Sequence, residues 1–245
     1  MTSRPVLILG ARSDIGLALA HRFAAEGRAI QLAARDLDAL QADQQNISLR
    51  HGVPVTKHRF DALAFDQIDA FFDSLPDMPG IVISVVGYLG DQSDTEQDPA
   101  KARLTVDTNF TGPTIALERA ARRLVQLNED TAIVGVSSIA GDRGRTTNYW
   151  YGAAKAGFST ALSGLRQKYA RTTVHVMTAK PGFVATRMTE HMDLPSALTA
   201  TPEAIADGIV RGLKKRRRIV TPFQWRIIMA IIKAMPESVF ERMKF

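Results

Sequence analysis

Short apolar runs alternate with amphipathic stretches along almost the whole of this 245-residue chain. Runs rich in Val, Ile, Leu and Ala at 6–10, 29–34, 53–60, 80–86, 132–137 and 174–179 read as strands. Between them, apolar positions at helical spacing predict helices over 14–26, 37–50, 65–73, 100–127 and 151–169. The strands are apolar on both faces, as expected of a parallel sheet covered from two sides. Strand–helix–strand alternation of this kind implies right-handed crossovers and an α/β fold with a doubly wound parallel sheet. Nothing resembling a linker or a repeat interrupts the pattern before residue 211. Residues 1–210 are therefore expected to form one domain, with 211–245 as an extension of it.

Composition narrows the chemistry. The chain is 45% hydrophobic and 23% charged, ordinary for a globular protein. It has no cysteine, which excludes disulfides, thiol nucleophiles and thiolate metal sites. Its five histidines have no ligand-like spacing, so no metal site is expected. The net charge of +6 is local: residues 211–245 hold ten Lys or Arg against two Glu, whereas the rest holds 21 basic and 23 acidic residues. That distribution argues against a nucleic-acid partner. No apolar run reaches the roughly 18–20 residues of a membrane span. The first apolar run leads into a glycine turn rather than a cleavage site, so a cytoplasmic protein is expected.

That turn, Gly10-Ala11-Arg12-Ser13-Asp14-Ile15-Gly16, joins the first strand to the first helix. Gly10 permits a sharp turn, Gly16 permits close helix–sheet packing, and the helix N-terminus offers free N–H groups to a pyrophosphate. Many helices begin after a glycine for structural reasons alone, but the place of this one on the first strand–helix turn is that expected of the phosphate-binding turn of a Rossmann fold. The second strand ends at Ala34-Arg35, where an NAD-specific site usually carries a carboxylate for the ribose. Arg35 and Arg12 instead suit a 2′-phosphate, so NADP(H) is the expected cofactor. The competing reading makes Arg35 a solvated residue opening a helix.

Tyr151 and Lys155, four apart on one helix, share a face. An ammonium beside a phenol should lower the phenol pKa and make it a usable acid or base. Ser138 ends a strand thirteen residues upstream of Tyr151, where strand ends face a ligand crevice. In these residues the sequence resembles the short-chain dehydrogenases/reductases over roughly residues 5–210. The resemblance implies that Ser138, Tyr151 and Lys155 are catalytic, together with Asn109, which would hold a water of a proton relay. It also implies that Asp61 contacts adenine, and that Pro181, Gly182 and Thr186 border the nicotinamide. Two segments depart from the family pattern. Asp14 replaces a glycine and is expected to cap its helix instead. Ser84-Val85-Val86-Gly87 replaces an Asn-Asn-Ala-Gly motif, keeping only Gly87 for the cofactor.

A narrower resemblance lies in Val86-Gly87-Tyr88-Leu89-Gly90-Asp91-Gln92 and in residues 137–151. Both look like the branch that contains the ketoreductase subunit of a decaprenylphosphoryl-ribose 2-epimerase. It implies a 2-keto sugar carried on a polyprenyl phosphate as substrate. Residues 186–201, with Met188, Met192, Leu194 and Leu198, are expected to cover the substrate, although methionines also serve ordinary packing.

The C-terminal extension places six cations within 211–218, ahead of an apolar, Trp-containing amphipathic helix over 223–235. Such a segment fits either packing in a homo-oligomer, a dimer or tetramer, or peripheral contact through 211–235 with the inner face of an anionic membrane. The function expected is NADPH-dependent reduction of a ketone to an alcohol. A catalytically silent NADP(H)-binding regulator and a membrane-surface scaffold are the alternatives.

Overall fold

The computed structural model describes residues 3–243. Its strands are β1 (Val6–Leu9), β2 (Ile30–Ala34), β3 (Val55–Arg59), β4 (Ile81–Ser84), β5 (Thr131–Val136), β6 (Val174–Ala179), β7 (Phe183–Val184), β8 (Thr199–Ala200) and β9 (Ile219–Val220). The helices are α1 (Asp14–Ala24), α2 (Gln41–His51), α3 (Ile68–Asp73), α4 (Gln92–Gln97), α5 (Pro99–Val106), α6 (Gly112–Leu124), α7 (Tyr149–Lys168), α8 (Pro202–Lys214), α9 (Phe223–Ala234) and α10 (Glu237–Phe240). Seven strands form one parallel sheet in the order β3-β2-β1-β4-β5-β6-β9. The order reverses between β1 and β4, which opens a crevice beyond their C-terminal ends, where ligands bind in sheets of this kind.

Strand alternation builds the two halves of the core. On one face Val6 and Ile8 of β1 pack with Leu19 and Phe23 of α1, Ile47 of α2, and Ile209 and Leu213 of α8. On the other, Leu7 and Leu9 meet Phe72 of α3, Leu117 and Leu124 of α6, and Phe158 and Leu162 of α7. Both faces are thus covered, which is why these strands lack the polar alternation of a half-exposed sheet. Local chemistry sets the helix limits: α1 starts where the Ser13 hydroxyl accepts the Gly16 N–H at 3.0 Å, and α2 ends at Gly52, whose φ is +65°.

The six expected strands are all present. The helix expected over 100–127 belongs to a longer helical stretch that passes through a π turn at Asp107–Thr111. Six elements were not anticipated: β7, β8, β9, α4, α8 and α10. Helix α8 begins at a Thr201 cap followed by Pro202. Strand β9 lies inside the basic segment and extends the sheet beyond β6, pairing Thr178 with Ile219 and Ala179 with Val220. With only two residues it has no periodicity to show.

Helix α9 is held by its own chain. Trp225 and Met229 pack against Ile139, Phe183 and Leu198. Arg143 grips the far end: its Nη1 donates to the carbonyls of Ile232 (3.1 Å) and Met235 (2.7 Å), its Nη2 donates to Glu237 (2.6 Å), and its guanidinium lies 4.3 Å from the Phe240 ring centroid. The opposite face exposes Phe223, Ile227 and Ile231, at 71%, 49% and 61%. Among the described residues no helix is long and apolar enough to cross a membrane.

Candidate active site

A cleft of about 870 Å³ runs across the C-terminal end of the sheet. It is lined by Gly10, Arg12, Ser13, Asp14, Ile15, Arg35, Asp61, Gly87, Ser138, Tyr151, Lys155, Pro181, Gly182 and Thr186, so the sequence-derived site converges in space. Gly16 and Asn109 stand behind its wall. A side chain at Gly16 would press on the Ser13 hydroxyl, its Cβ 2.9 Å away, so this glycine keeps the turn tight. Gly10 is required twice over: its φ is +85°, and a Cβ would come within 3.0 Å of the Val86 backbone nitrogen.

At one end of the cleft the first N–H groups of α1 have no intrahelical acceptor and face outward. Asp14 does not cap this helix. Ser13 does, and the Asp14 carboxylate turns away to Arg187, accepting its backbone N–H at 2.8 Å and its Nε at 2.9 Å. Arg35 is exposed and has no carboxylate partner among the described residues. Arg12 lies 3.7 Å from Asp36, whose other oxygen accepts the N–H groups of Asp38 and Ala39. Asp36, unweighed in the sequence, thus caps the turn after β2. Asp61 similarly accepts the Leu63 N–H at 3.0 Å. A helix N-terminus and two arginines at one end of the cleft fit a phosphorylated dinucleotide.

At the other end, β5 delivers two serines whose side chains diverge because strand neighbours alternate. Ser137 turns inward, donating to the Lys155 carbonyl at 3.0 Å and bonding Ser159 at 2.8 Å, which fastens α7 to the sheet. Ser138 turns into the cleft and hydrogen-bonds the Tyr151 phenol. Lys155 Nζ sits 5.7 Å from the Tyr151 ring centroid and donates to the carbonyls of Val136 (3.3 Å) and Val86 (3.4 Å). The pKa values depart from the sequence expectation. Burial pushes the phenol up to about 12, against which the Ser138 hydrogen bond works, and burial pushes the ammonium down to about 7. Desolvation dominates both groups, and among the described residues the lysine's hydrogen-bond partners are the backbone carbonyls of Val86 and Val136. Tyr151 consequently stays protonated in the neutral range.

Asn109, in the π turn, is fully buried. Its Oδ1 accepts the Tyr88 N–H at 3.1 Å, and its Nδ2 donates to the carbonyls of Tyr88 (2.6 Å) and Thr105 (2.9 Å). The side chain therefore clamps the loop after β4 beside Lys155. A Cβ at Gly87 would lie 3.3 Å from Asn109 Oδ1 and 3.5 Å from Lys155 Nζ. The third wall comes from Met188 and Met192 of the segment after β7, together with Phe183, and from Arg145 and Asn148 in the loop before α7. The sequence carried no signal for the last two, since a loop Arg and Asn look the same whether solvated or aimed inward. The assembled groups can polarise a carbonyl oxygen and protonate it.

Comparison with known proteins identifies the family. The family profile of the short chain dehydrogenases matches residues 4–195. An uncharacterized oxidoreductase of Mycobacterium tuberculosis is 35% identical over 98% of this chain and 96% of its own length. A sulfoacetaldehyde reductase of Chromohalobacter salexigens is 32% identical over 84% of this chain and 80% of its own. Among solved structures, a short-chain dehydrogenase from Sphingobium yanoikuyae in complex with NADPH superposes with a TM-score of 0.80 at 22% identity, covering 98% of this chain and 96% of that one. The chain belongs to the short-chain dehydrogenase family and is an oxidoreductase.

Proposed function

We propose that the enzyme reduces a ketone to an alcohol with NADPH. The observation that carries this reading is the convergence of Ser138, Tyr151 and Lys155 at one end of a cleft whose other end holds the α1 N-terminus, Arg12 and Arg35. A bound reduced nicotinamide would supply hydride to the carbonyl carbon. Tyr151 gives its proton to the carbonyl oxygen, and its high pKa keeps that proton available. Ser138 would donate a hydrogen bond to the same oxygen and Lys155 would hold the ribose, while Asn109 positions the Gly87–Tyr88 loop against the lysine. Unpaired Arg35 favours a 2′-phosphate, in keeping with the NADPH held by the Sphingobium protein. Tyr151→Phe should abolish NADPH oxidation with a ketone panel and leave NADPH binding intact. Retention of most activity would remove the assignment.

The finer reading of the substrate is a 2-keto sugar on a polyprenyl phosphate. Its support is the likeness of residues 86–92 and 137–151 to that branch, and the apolar helix beside the cleft. The exposed Phe223, Ile227 and Ile231, with Arg226 and Lys233 on the same helix and Arg216, Arg217 and Arg218 nearby in sequence, suit the cytoplasmic, anionic face of a membrane. Flotation with phosphatidylglycerol vesicles tests this contact. Binding that falls with salt and is lost in Ile227→Glu/Ile231→Glu supports it. If the double variant instead changes the sedimenting mass and not flotation, the stripe belongs to a homo-oligomer.

A further inference from the structure

The cations lining the cleft sort by partner. Arg12 is paired with Asp36, and Arg187 with Asp14. Among the described residues Arg35, Lys155 and Arg145 line the cleft without a carboxylate partner. Arg35 faces the cofactor end and Lys155 belongs to the catalytic group. Arg145 remains. It lies six residues before Tyr151, half-buried, in a loop whose other charges are neutralised: Asp142 by Lys180 at 2.6 Å, and Arg143 by Glu237 at 2.6 Å. Among the described residues its guanidinium makes no hydrogen bond or ion pair, and burial holds its pKa below the usual arginine value. An arginine left half-desolvated in this way gains most from an incoming anion.

A second, independent observation lies three residues on. Asn148 occupies the N-cap position of α7, where an Asn side chain normally accepts a helical N–H. Here it makes no such bond, and its Oδ1 is buried without a hydrogen-bond partner. Asn148 is also among the residues that line the cleft. A buried acceptor with no donor is costly unless a ligand provides one.

We propose that Arg145 and Asn148 form the substrate-recognising end of the cleft and that the substrate is a hydroxylated anion. Arg145 pairs with its phosphate, carboxylate or sulfonate group, and Asn148 accepts a hydrogen bond from one of its hydroxyls. The proposal deepens the ketone-reductase reading and rests on it for the placement of the reacting carbonyl near Tyr151. It assigns substrate choice to a loop outside the catalytic residues.

Calorimetric titration of the full-length protein with two matched pairs tests it: ribose 5-phosphate against ribose, and farnesyl phosphate against farnesol. Each is run with and without saturating NADP+. At least one phosphorylated probe should bind tenfold or more tightly than its neutral partner. Arg145→Gln should erase that difference while leaving the neutral probe and NADP+ unaffected, and Arg145→Lys should restore part of it. Asn148→Ala should weaken ribose 5-phosphate and spare farnesyl phosphate, which has no hydroxyl. The pair that responds separates a soluble phosphate from a lipid-borne one. Equal binding of charged and neutral probes by the wild type, or an anion preference that survives Arg145→Gln, overturns the proposal. Absence of NADP+ binding counts against the cofactor reading alone, because the cofactor-free titrations still decide the role of Arg145.

Discussion

The Asp14 carboxylate and the Arg187 guanidinium tie the turn after β1 to the segment that follows β7, 173 residues away in the chain. Asp14 accepts from Arg187 at 2.8 and 2.9 Å, and Arg187 also donates to the Arg12 carbonyl. The pair stands between the active-site cleft and a second hollow of about 1150 Å³, lined by α1, α8 and residues 185–199, and both residues border each. An acidic residue at a phosphate-binding turn is thereby neutralised by the segment that walls the substrate side.

With 27% and 58% of the two side chains exposed, this pair adds at most about 1 kcal/mol to global stability. Its effect should be local. Asp14→Ala should leave the denaturation midpoint nearly unchanged and speed amide exchange over residues 186–194 by about fivefold. The charge-swapped Asp14→Arg/Arg187→Asp protein should recover part of the protection. Unaltered exchange in Asp14→Ala would show that the segment is held by other contacts.

Lys155 makes stability depend on pH in a defined direction. Burial holds its pKa at about 7 in the folded chain, against 10.5 ordinarily. Between those values the unfolded chain binds the extra proton, so the lysine's contribution to stability rises with pH from 7 to 10.5 and is least below 7. Urea unfolding of wild type and Lys155→Met at pH 6.5 and 9.5 isolates this contribution. The difference should move in favour of the wild type at pH 9.5 by at least about 1 kcal/mol. A difference independent of pH would place the ammonium in a solvated state.

Arg35 should govern the choice between the two nicotinamide cofactors. A charge-assisted hydrogen bond to a 2′-phosphate contributes about 1.5–3 kcal/mol, so Arg35→Ala should raise the KM for NADPH by about 10- to 100-fold. The KM for NADH should change little, because Asp36 is engaged with Arg12 and the Asp38 and Ala39 N–H groups. Parallel loss with both cofactors would point to a structural role for Arg35.

Gly182 and Trp225 are matched in shape. A Cβ on Gly182 would lie 2.0 Å from Trp225 Nε1, which donates to the Leu198 carbonyl at 3.1 Å. Gly182→Ala should displace the indole, break that bond and cost about 1–3 kcal/mol, read by chemical denaturation. The glycine expected at the nicotinamide border therefore serves the docking of α9 as well.

Much of this protein was legible along the chain. The central strands were visible because burial on both faces writes itself as an apolar run, as in Val6–Leu9, whereas the edge strand β3 is half-exposed and carries Thr56, Lys57, His58 and Arg59. Tyr151, Lys155 and Ser138, the proposed catalytic residues, were visible because helical spacing and a strand end confine them to one locality. Asn109 was readable only through family likeness. Its clamp on Tyr88 closes 21 residues of chain and leaves no local period.

By itself, then, the sequence determined the α/β class, the glycine turn and the Ser138–Tyr151–Lys155 group, because each is written in the local pattern of single elements and of elements that follow one another in the chain. Only the tertiary structure decided that Asp14 binds Arg187 rather than its own helix, that Ile219–Val220 completes the sheet, and that α9 docks through Trp225 onto Gly182. It also decided that burial, not charge pairing, sets the proton affinities of Tyr151 and Lys155. Desolvation depends on everything packed around a group, and that packing is assembled from segments far apart in the chain.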